Sequence, residues 1–426
     1  MKTGTVLHVT HSWGGGIAHW VDQFSTYDSE HRHLRLTTHG FGYSHGRILR
    51  LWEGHSLLQS WHLKSPIATI ATQSDHYDSI VAYVLENFGV GKIMVSSLIG
   101  HSTSVLDTGT PTTVIVHDFF PICTALRAFH KSQSCSHCDL NRFRECLENN
   151  PFQFQFEVRD PEEYENLRQK LLQLYRKQDL VIVAPSNYAS NQFFSLTGVR
   201  PDVIPHGIPI REPLPNPTPG SKLRCVVLGR LDREKGLSLF QDIWPSVRGF
   251  CEMTFLGAGV ESAPGLKGVE IVPNYHPDNL RTHLAKIQPH VGLLFSMVPE
   301  TFSYTLSELM QFHIPPVATS LGSFSERIVH GKTGHLVSPD PLAIIQTLKE
   351  MNENPGQLQH VRNELGKLNF GTIEDMVSAY HDRQPVHPGL NLTNNSCPAS
   401  AGWPLATFIR ALPGALRKHM RHLFQR

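Results

Sequence analysis

Short runs rich in Val, Ile and Leu alternate along this chain with longer helical patterns, and that alternation limits the possible folds more than any other feature. The strand-like runs are TVLHVT (5–10), KIMVSSL (92–98), TTVIVHD (112–118) and LVIVAPS (180–186). After them come RCVVLGR (224–230), EMTFLG (252–257), VEIVP (269–273), VGLLFS (291–296) and PPVATS (315–320). Helix-like stretches cover 74–89, 161–178, 236–247, 277–288 and 341–354. Alternation of this kind implies α/β architecture, with parallel sheets covered by helices on both faces.

At 426 residues the chain is too long for one ordinary core, so two domains are expected. The segment PHGIPIREPLPNPTPGS, 205–221, holds six prolines and few apolar anchors, and reads as a stiff linker between two α/β halves with a cleft between them. In such sheets ligands bind beyond the carboxyl ends of the strands, which directs attention to the loops that follow them. A formal charge of +1 argues against a nucleic-acid partner. The apolar run at the start is too short for a signal peptide, and no stretch approaches the roughly 18 apolar residues of a membrane span. Seven cysteines, an odd number, then suggest reduced thiols in a cytoplasmic protein, so the sequons at Asn391 and Asn394 carry little weight.

Four loops bear chemistry. The first strand runs into THSWGGGIAHW, where glycines let backbone amides approach an anion at a helix N-terminus; a plain tight turn is the alternative. The strand TTVIVHD ends in His117 and Asp118, which places a histidine at a strand's carboxyl end, able to bond a substrate hydroxyl or carbonyl. In VVLGRLDREKGLSLF, Arg230 and Lys235 flank a turn that opens a helix, two cations suited to one phosphate-sized site. In PETFSYTLSE, the amides near Phe302, Ser303, Tyr304 and Thr305 would open another helix able to bind a diphosphate without metal. Its two acids, Glu300 and Glu308, are suited to vicinal sugar hydroxyls.

Together these residues resemble the retaining GT-B glycosyltransferases of the group 1 (GT4-like) type. The resemblance rests on GGG after the first strand, HD at 117–118, VIPHGI at 203–208, GRLDREKG at 229–236, the E-x7-E of 300–308 and SFSERIVHGKTGHLV at 323–337, and it spans roughly 4–384. It implies two Rossmann-like domains with parallel sheets facing a central cleft. An N-terminal domain, 1–204, would serve the acceptor and be completed by a final helix at 371–384. A C-terminal domain, 222–370, would hold the nucleotide-sugar donor. By this likeness Arg230 and Lys235 hold the donor diphosphate, Glu300 contacts the donor sugar and Glu308 the ribose. His117 stands near the reacting sugar, and Gly15 and Gly16 form a loop over donor and acceptor. Family members usually carry glycine where Ser303 stands and a small apolar residue where Tyr304 stands. The implied reaction moves a sugar from a nucleotide diphosphate to a hydroxyl of a glycan or lipid-linked acceptor in cell-surface polysaccharide or glycolipid synthesis. It retains configuration and uses no metal or other cofactor in catalysis. The alternatives are a catalytically impaired nucleotide- or glycan-binding protein and a GT-B nucleotide-sugar epimerase.

Two features lie outside that likeness. Cys123, Cys135, Cys138 and Cys146 follow the histidine strand and include one C-x2-C pair, a spacing that suits a structural zinc; reduced thiols or a Cys135–Cys138 disulfide are the alternatives. The tail, 385–426, ends in a basic amphipathic segment, 404–426, that would suit the inner face of an anionic membrane or pack on the protein.

Overall fold

The computed structural model describes residues 3–40, 46–153, 156, 158, 160–177, 179–259, 266–387 and 396–401. Asn391, Asn394 and the segment 404–426 lie outside the described residues. The chain divides into two compact units. One comprises the residues up to Pro185, then Ser190–Ile204 and, from Ile373, the described residues that follow; the other comprises Ser186–Ala189 and Pro205–Thr372.

In chain order the first part carries β1 (Thr5–His11), α1 (Gly15–Tyr27), β2 (Arg32–His39), β3 (Ile48–Glu53), β4 (Ser56–His62), α2 (Asp75–Asn87), β5 (Val90–Val95) and β6 (Thr112–Ile115). It continues through β7 (Phe129–His130), β8 (Gln133–Ser134), α3 (Leu140–Asn149), α4 (Pro161–Tyr175), β9 (Leu180–Ala184), α5 (Asn187–Thr197) and β10 (Asp202–Val203). The main sheet has the order β10-β9-β6-β5-β1-β2-β3-β4. Every residue of β1 is buried, as a strand covered on both faces requires. From β1 the chain passes to β2 on one side and later to β5 on the other, so the winding reverses beside the carboxyl end of β1.

This sheet is not wholly parallel, contrary to expectation: β3 and β4 pair antiparallel beyond β2. The three strands escape an apolar-run reading because β2 is RHLRLTTH, with His33, Thr37 and Thr38 buried in it, and β4 turns Ser56, Leu57 and Leu58 to solvent. Described residues of the tail lie along β4. The Ala401 amide donates to the His62 carbonyl at 2.9 Å, and the Ser400 hydroxyl accepts from the His62 amide at 2.7 Å.

The second unit holds β11 (Leu223–Leu228), α6 (Leu237–Val247), β12 (Cys251–Leu256), β13 (Glu270–Val272), α7 (Leu280–Ile287), β14 (Val291–Leu294), α8 (Tyr304–Gln311), β15 (Pro316–Thr319), α9 (Ser323–Arg327), β16 (His335–Val337), α10 (Pro341–Glu353) and α11 (Pro355–Leu365). Its six strands are all parallel, in the order β13-β12-β11-β14-β15-β16. Side chains of β11 alternate between two apolar layers, as period two demands. Cys225 and Val227 join Phe240 and Ile243 of α6 and Leu348 of α10. Val226 and Leu228 join Leu306 and Leu309 of α8 and Val361 of α11. Each such leucine or isoleucine contributes about 2 kcal/mol by burial. Winding runs outward from β11 to β13, then crosses back to β14, so the switch point of this sheet lies between β11 and β14.

Residues 205–221, expected as a linker, instead pack along this unit. Leu214 is buried in its core, the Leu214 amide donates to the Phe312 carbonyl at 3.3 Å, and Thr218 bonds Gln288 at 2.7 Å. Prolines lack the donors that a buried segment would have to satisfy, so proline content marks a strap here as readily as a spacer. Then α12 (Ile373–Arg383) returns to the first unit, where Tyr380 meets Trp20 of α1 edge-on at 5.4 Å. The buried Lys92 ammonium caps its end through the carbonyls of Tyr380 and Gln384. No helix of the described residues is long and apolar enough to cross a membrane.

Candidate functional site

The loops leaving β11 and β14 flank the switch point of the second unit, and most of the expected donor residues stand on them. Gly229 and Gly236 bracket the first loop with φ of 83° each, a backbone that side chains rarely adopt. At Gly236 a Cβ would stand 2.0 Å from the Phe295 carbonyl oxygen, so glycine lets the two loops touch. Within the turn the Asp232 carboxylate accepts from the amides of Glu234 and Lys235 at 3.0 and 3.1 Å and fixes where Lys235 departs. The Lys235 ammonium pairs with the carboxylate of Glu300, which is only 8% exposed. Ser296 supports the pair by donating to the same Glu300 oxygen at 2.9 Å. The Arg230 side chain is 71% exposed and leans toward Asp232 at 3.7 Å.

Glu300 is also held through its backbone. The Ser323 amide donates to its carbonyl at 2.8 Å, and a Cβ on Gly322 would stand 2.5 Å from Glu300 N and O. The sequence reading did not single out Arg327, yet its half-buried guanidinium lies 4.1 Å from the Phe302 ring centroid and donates to the carbonyls of Phe302 and Ser303. Nothing in its sequence surroundings distinguishes it from a surface cation; only folding brings α9 against this turn.

Helix α8 opens at Ser303, with φ 73° and ψ 98°, and its hydroxyl accepts from the Leu306 amide at 3.3 Å. The first-turn amides of a helix have no intrahelical acceptor and present partial positive charge. Thr305 faces Gly229 closely enough that a Cβ there would meet its methyl at 3.3 Å, which sets α8's first turn against the β11 loop. Tyr304 stacks on His206 (5.6 Å, 13°) and meets Phe302 edge-on at 5.5 Å, and burial pushes its phenol up. The two acids of the E-x7-E spacing are treated differently. While Glu300 is ion-paired, Glu308 is enclosed near Tyr275, and burial raises its carboxyl to about 7 against the opposing pull of Arg211. Tyr275 in turn lies against Gly257, where a Cβ would stand 2.6 Å from its ring.

The remaining expected residues lie in the first unit. β1 ends in His11, and Gly14 and Gly15 take φ of 81° and 72° where α1 begins, with Gly15 and Gly16 exposed. His117 follows β6 and meets Trp20 edge-on at 5.3 Å; burial, assisted by nearby His11, lowers it to about 3. It is therefore a neutral imidazole across the physiological range, a hydrogen-bonding group rather than an acid. The sequence reading missed the aromatic set beside it. Trp13, 46% exposed, stacks on His11 at 5.0 Å and on Phe156 at 6.0 Å, and Phe156 meets Phe120 at 4.9 Å.

Cys123, Cys135, Cys138 and Cys146 line a single cavity in the same unit, and none is paired in a disulfide. No three of their sulfurs lie within 4.8 Å of one another. The structure thus brings the four residues of the expected zinc set together around one space.

Residues 222–354 match the family model described as glycosyl transferases group 1. Among solved structures, the chain is similar to sucrose-phosphate synthase from Thermosynechococcus elongatus, with 13% identity, a TM-score of 0.62, and coverage of 89% of this chain and 98% of that one. A glycosyltransferase from Rickettsia africae shows 12% identity, a TM-score of 0.58, and coverage of 90% and 98%. HepE from Anabaena, solved in complex with UDP and glucose, shows 13% identity, a TM-score of 0.57, and coverage of 89% and 98%. These likenesses give the chain the GT-B fold. No curated protein matches it by sequence.

Proposed function

We propose that this chain is a glycosyltransferase that moves a sugar from a nucleotide-diphosphate sugar to a hydroxyl of a glycan or lipid-linked acceptor. The observation that carries the reading is the Lys235–Glu300 pair at the β11/β14 switch point, against the first turn of α8. It is supported by the family match over the same residues and by the nucleotide complex of HepE, which has the same fold.

On this reading the second unit takes the donor. Lys235 exchanges Glu300 for the diphosphate, Arg230 swings in from solvent, and the α8 amides complete a cationic cradle. Glu300, released by that exchange, accepts from the sugar hydroxyls, while Glu308 accepts from the ribose beside Tyr275. The first unit serves the acceptor, with His117 as a neutral hydrogen-bonding partner of the reacting sugar and Gly15 and Gly16 as a loop of exposed amides. The bond from the anomeric carbon to the diphosphate breaks, the acceptor oxygen bonds that carbon on the same face, and the acceptor proton passes to the departing phosphate. Configuration is retained, and the developing phosphate charge is met by Arg230, Lys235 and helix amides without a catalytic metal. The acceptor belongs to a cell-surface polysaccharide or glycolipid, assembled from the cytoplasmic side.

Calorimetric titration with UDP, GDP and ADP in EDTA tests the donor site. One nucleotide should bind wild type and bind Arg230→Ala and Lys235→Ala at least ~10-fold more weakly. Binding of none of the three would overturn the reading. Tyr304, at a position where the resemblance implies a small residue, carries a second reading, a binding protein without turnover. Tight nucleotide binding with no sugar released to water or acceptor would favour it.

A further inference from the structure

Helix α12 meets the first unit at a polar group that the donor-site reading does not use. The stretch DSEHRH, 28–33, supplies Asp28, His31 and His33, and α12 supplies His381 from far along the chain. Asp28 is the C-cap of α1, His31 lies just ahead of β2, and His33 lies within β2. The Asp28 carboxylate is buried, and a carboxylate at that depth must be hydrogen-bonded, paired or bound to a metal.

The nitrogens around it outnumber what it can accept. His31 Nδ1 stands 2.9 Å from Oδ1 and 3.0 Å from Oδ2, and His381 Nε2 stands 2.7 Å from Oδ2. His33 Nε2 stands 3.2 Å from the same Oδ2 yet makes no hydrogen bond there. The Glu30 amide takes part of Oδ1 at 3.3 Å. Three imidazole nitrogens therefore crowd one oxygen with two lone pairs, and one buried nitrogen is left over. An imidazole can instead give a lone pair, and a cation at this point would accept it.

The geometry fits such an ion. Ligand atoms of Asp28, His31 and His381 all lie within 4.8 Å of one another. The His31 and His381 rings stand side by side, with centroids 4.6 Å apart. Around a tetrahedral ion bonded at about 2.1 Å, ligand atoms stand about 3.4 Å apart. The oxygen–nitrogen separations of 2.7 and 2.9 Å need open by less than about 1 Å, which side-chain rotation supplies. Two imidazoles with one carboxylate suit zinc and its neighbours; calcium and magnesium take oxygen ligands. His33 Nδ1 bonds His8 Nε2 at 3.0 Å, which holds the third imidazole against the carboxylate and steadies it. The buried Lys92 spends its ammonium on the carbonyls of Tyr380 and Gln384 and leaves Asp28 to the imidazoles. The His381 side chain is 19% exposed and gives the ion a way in.

We propose that Asp28, His31 and His381 bind a divalent transition-metal ion of the zinc class, with water in the fourth position, and that the ion fastens α12 to the start of β2. The proposal does not rest on the donor-site reading: nucleotide binding and ion binding are measured separately, and either can fail alone.

The test is titration of the chelator-treated full chain with cobalt chloride, followed by absorption, beside Asp28→Asn, His381→Asn and Cys138→Ser. Cobalt stands in for zinc and reports its ligands by colour. The expected result is one equivalent bound with Kd below ~10 μM, giving the visible bands of tetrahedral cobalt without a near-ultraviolet thiolate band. Zinc should displace it and excess magnesium should not. Affinity should fall at least ~10-fold in Asp28→Asn and His381→Asn and stay unchanged in Cys138→Ser. Zinc should raise the melting temperature of wild type and of neither Asp28→Asn nor His381→Asn. A thiolate band, with no absorption left in Cys138→Ser, would place the ion on the cysteines and overturn the site. No binding by wild type at ~100 μM cobalt would leave Asp28 and its histidines a hydrogen-bonded cluster only, and that result does not depend on whether the variants fold.

Discussion

Replacing Glu308 by glutamine separates what this residue does for stability from what it does for a ligand. In the fold its carboxyl is raised from the ordinary 4.5 to about 7 by burial, with Arg211 only partly offsetting the effect. A carboxyl raised on folding binds more protons in the native state than in the unfolded chain between those two values. Stability is therefore fully present below about pH 4.5 and is lost as pH rises through 7. Integrated to pH 8, the charged carboxylate costs about 3 kcal/mol, and at pH 5 below about 1 kcal/mol. Glutamine keeps the shape and hydrogen-bonding reach without the charge. The variant should melt about 5–10 °C higher than wild type at pH 8 and within about 3 °C of it at pH 5. Thermal melts followed by circular dichroism at the two pH values read this directly. The same variant should bind nucleotide about 10-fold more weakly at pH 8, because a neutral amide is the poorer acceptor for ribose hydroxyls. Equal melting temperatures at pH 8 would mean that the carboxylate is charged and fully compensated, refuting the burial argument. Stabilisation with unchanged nucleotide affinity would remove Glu308 from the donor site while leaving its burial intact.

Other substitutions test the backbone and the first unit. Ser303→Gly should raise stability by about 0.5–1 kcal/mol, since the relief of φ 73° exceeds the few tenths lost with its long cap to Leu306; a lower melting temperature would show that the cap dominates. Gly236→Ala should cost more than about 3 kcal/mol, or prevent folding, because its Cβ would lie 2.0 Å from the Phe295 oxygen; a denaturant midpoint like wild type would contradict the close approach. Trp13→Ala should raise KM for a sugar acceptor at least fivefold and leave nucleotide affinity unchanged, since Trp13 is the exposed member of the aromatic stack with His11 and Phe156. Steady-state kinetics beside the nucleotide titration would show whether acceptor or donor is affected.

What the sequence reveals of this fold follows from how local each cause is. The strand–glycine–cation order around Gly229, Arg230 and Lys235 is legible because glycine at φ 83° and a helix opening are properties of a few neighbouring residues. The strands β1, β5, β6 and β9 are legible because each carries consecutive buried aliphatic residues, as in Val6–Leu7, Ile93–Val95, Val114–Ile115 and Ile182–Val183. β2 is not, because His33, Thr37 and Thr38 are buried by tertiary packing that a run of Arg, His and Thr does not announce. The strap at 205–221 follows the same rule: six prolines reveal the missing donors, but the burial of Leu214 depends on where Phe312 lies, about a hundred residues away.

The site divides along the same line, and the division says something about how it is built. Lys235 and Glu300 were each readable as ligand groups, but their ion pair was not, because it is made by the crossing from β13 back to β14 that brings two distant loops together at the switch point. Ser296 and Arg327 were invisible for the same reason: each acts on a neighbour supplied by the fold. The proposed ligand-facing chemistry is thus written locally and its positioning globally. The residues that hold Glu300 and the Phe302–Ser303 turn in place are those for which a sequence motif offers no warning, and Arg327 is foremost among them. Its guanidinium serves two carbonyls of the turn that opens α8, beside the Ser323 hydroxyl that donates to the Phe302 carbonyl at 3.0 Å, so losing it would weaken that turn and loosen the amides on which diphosphate binding is proposed to depend.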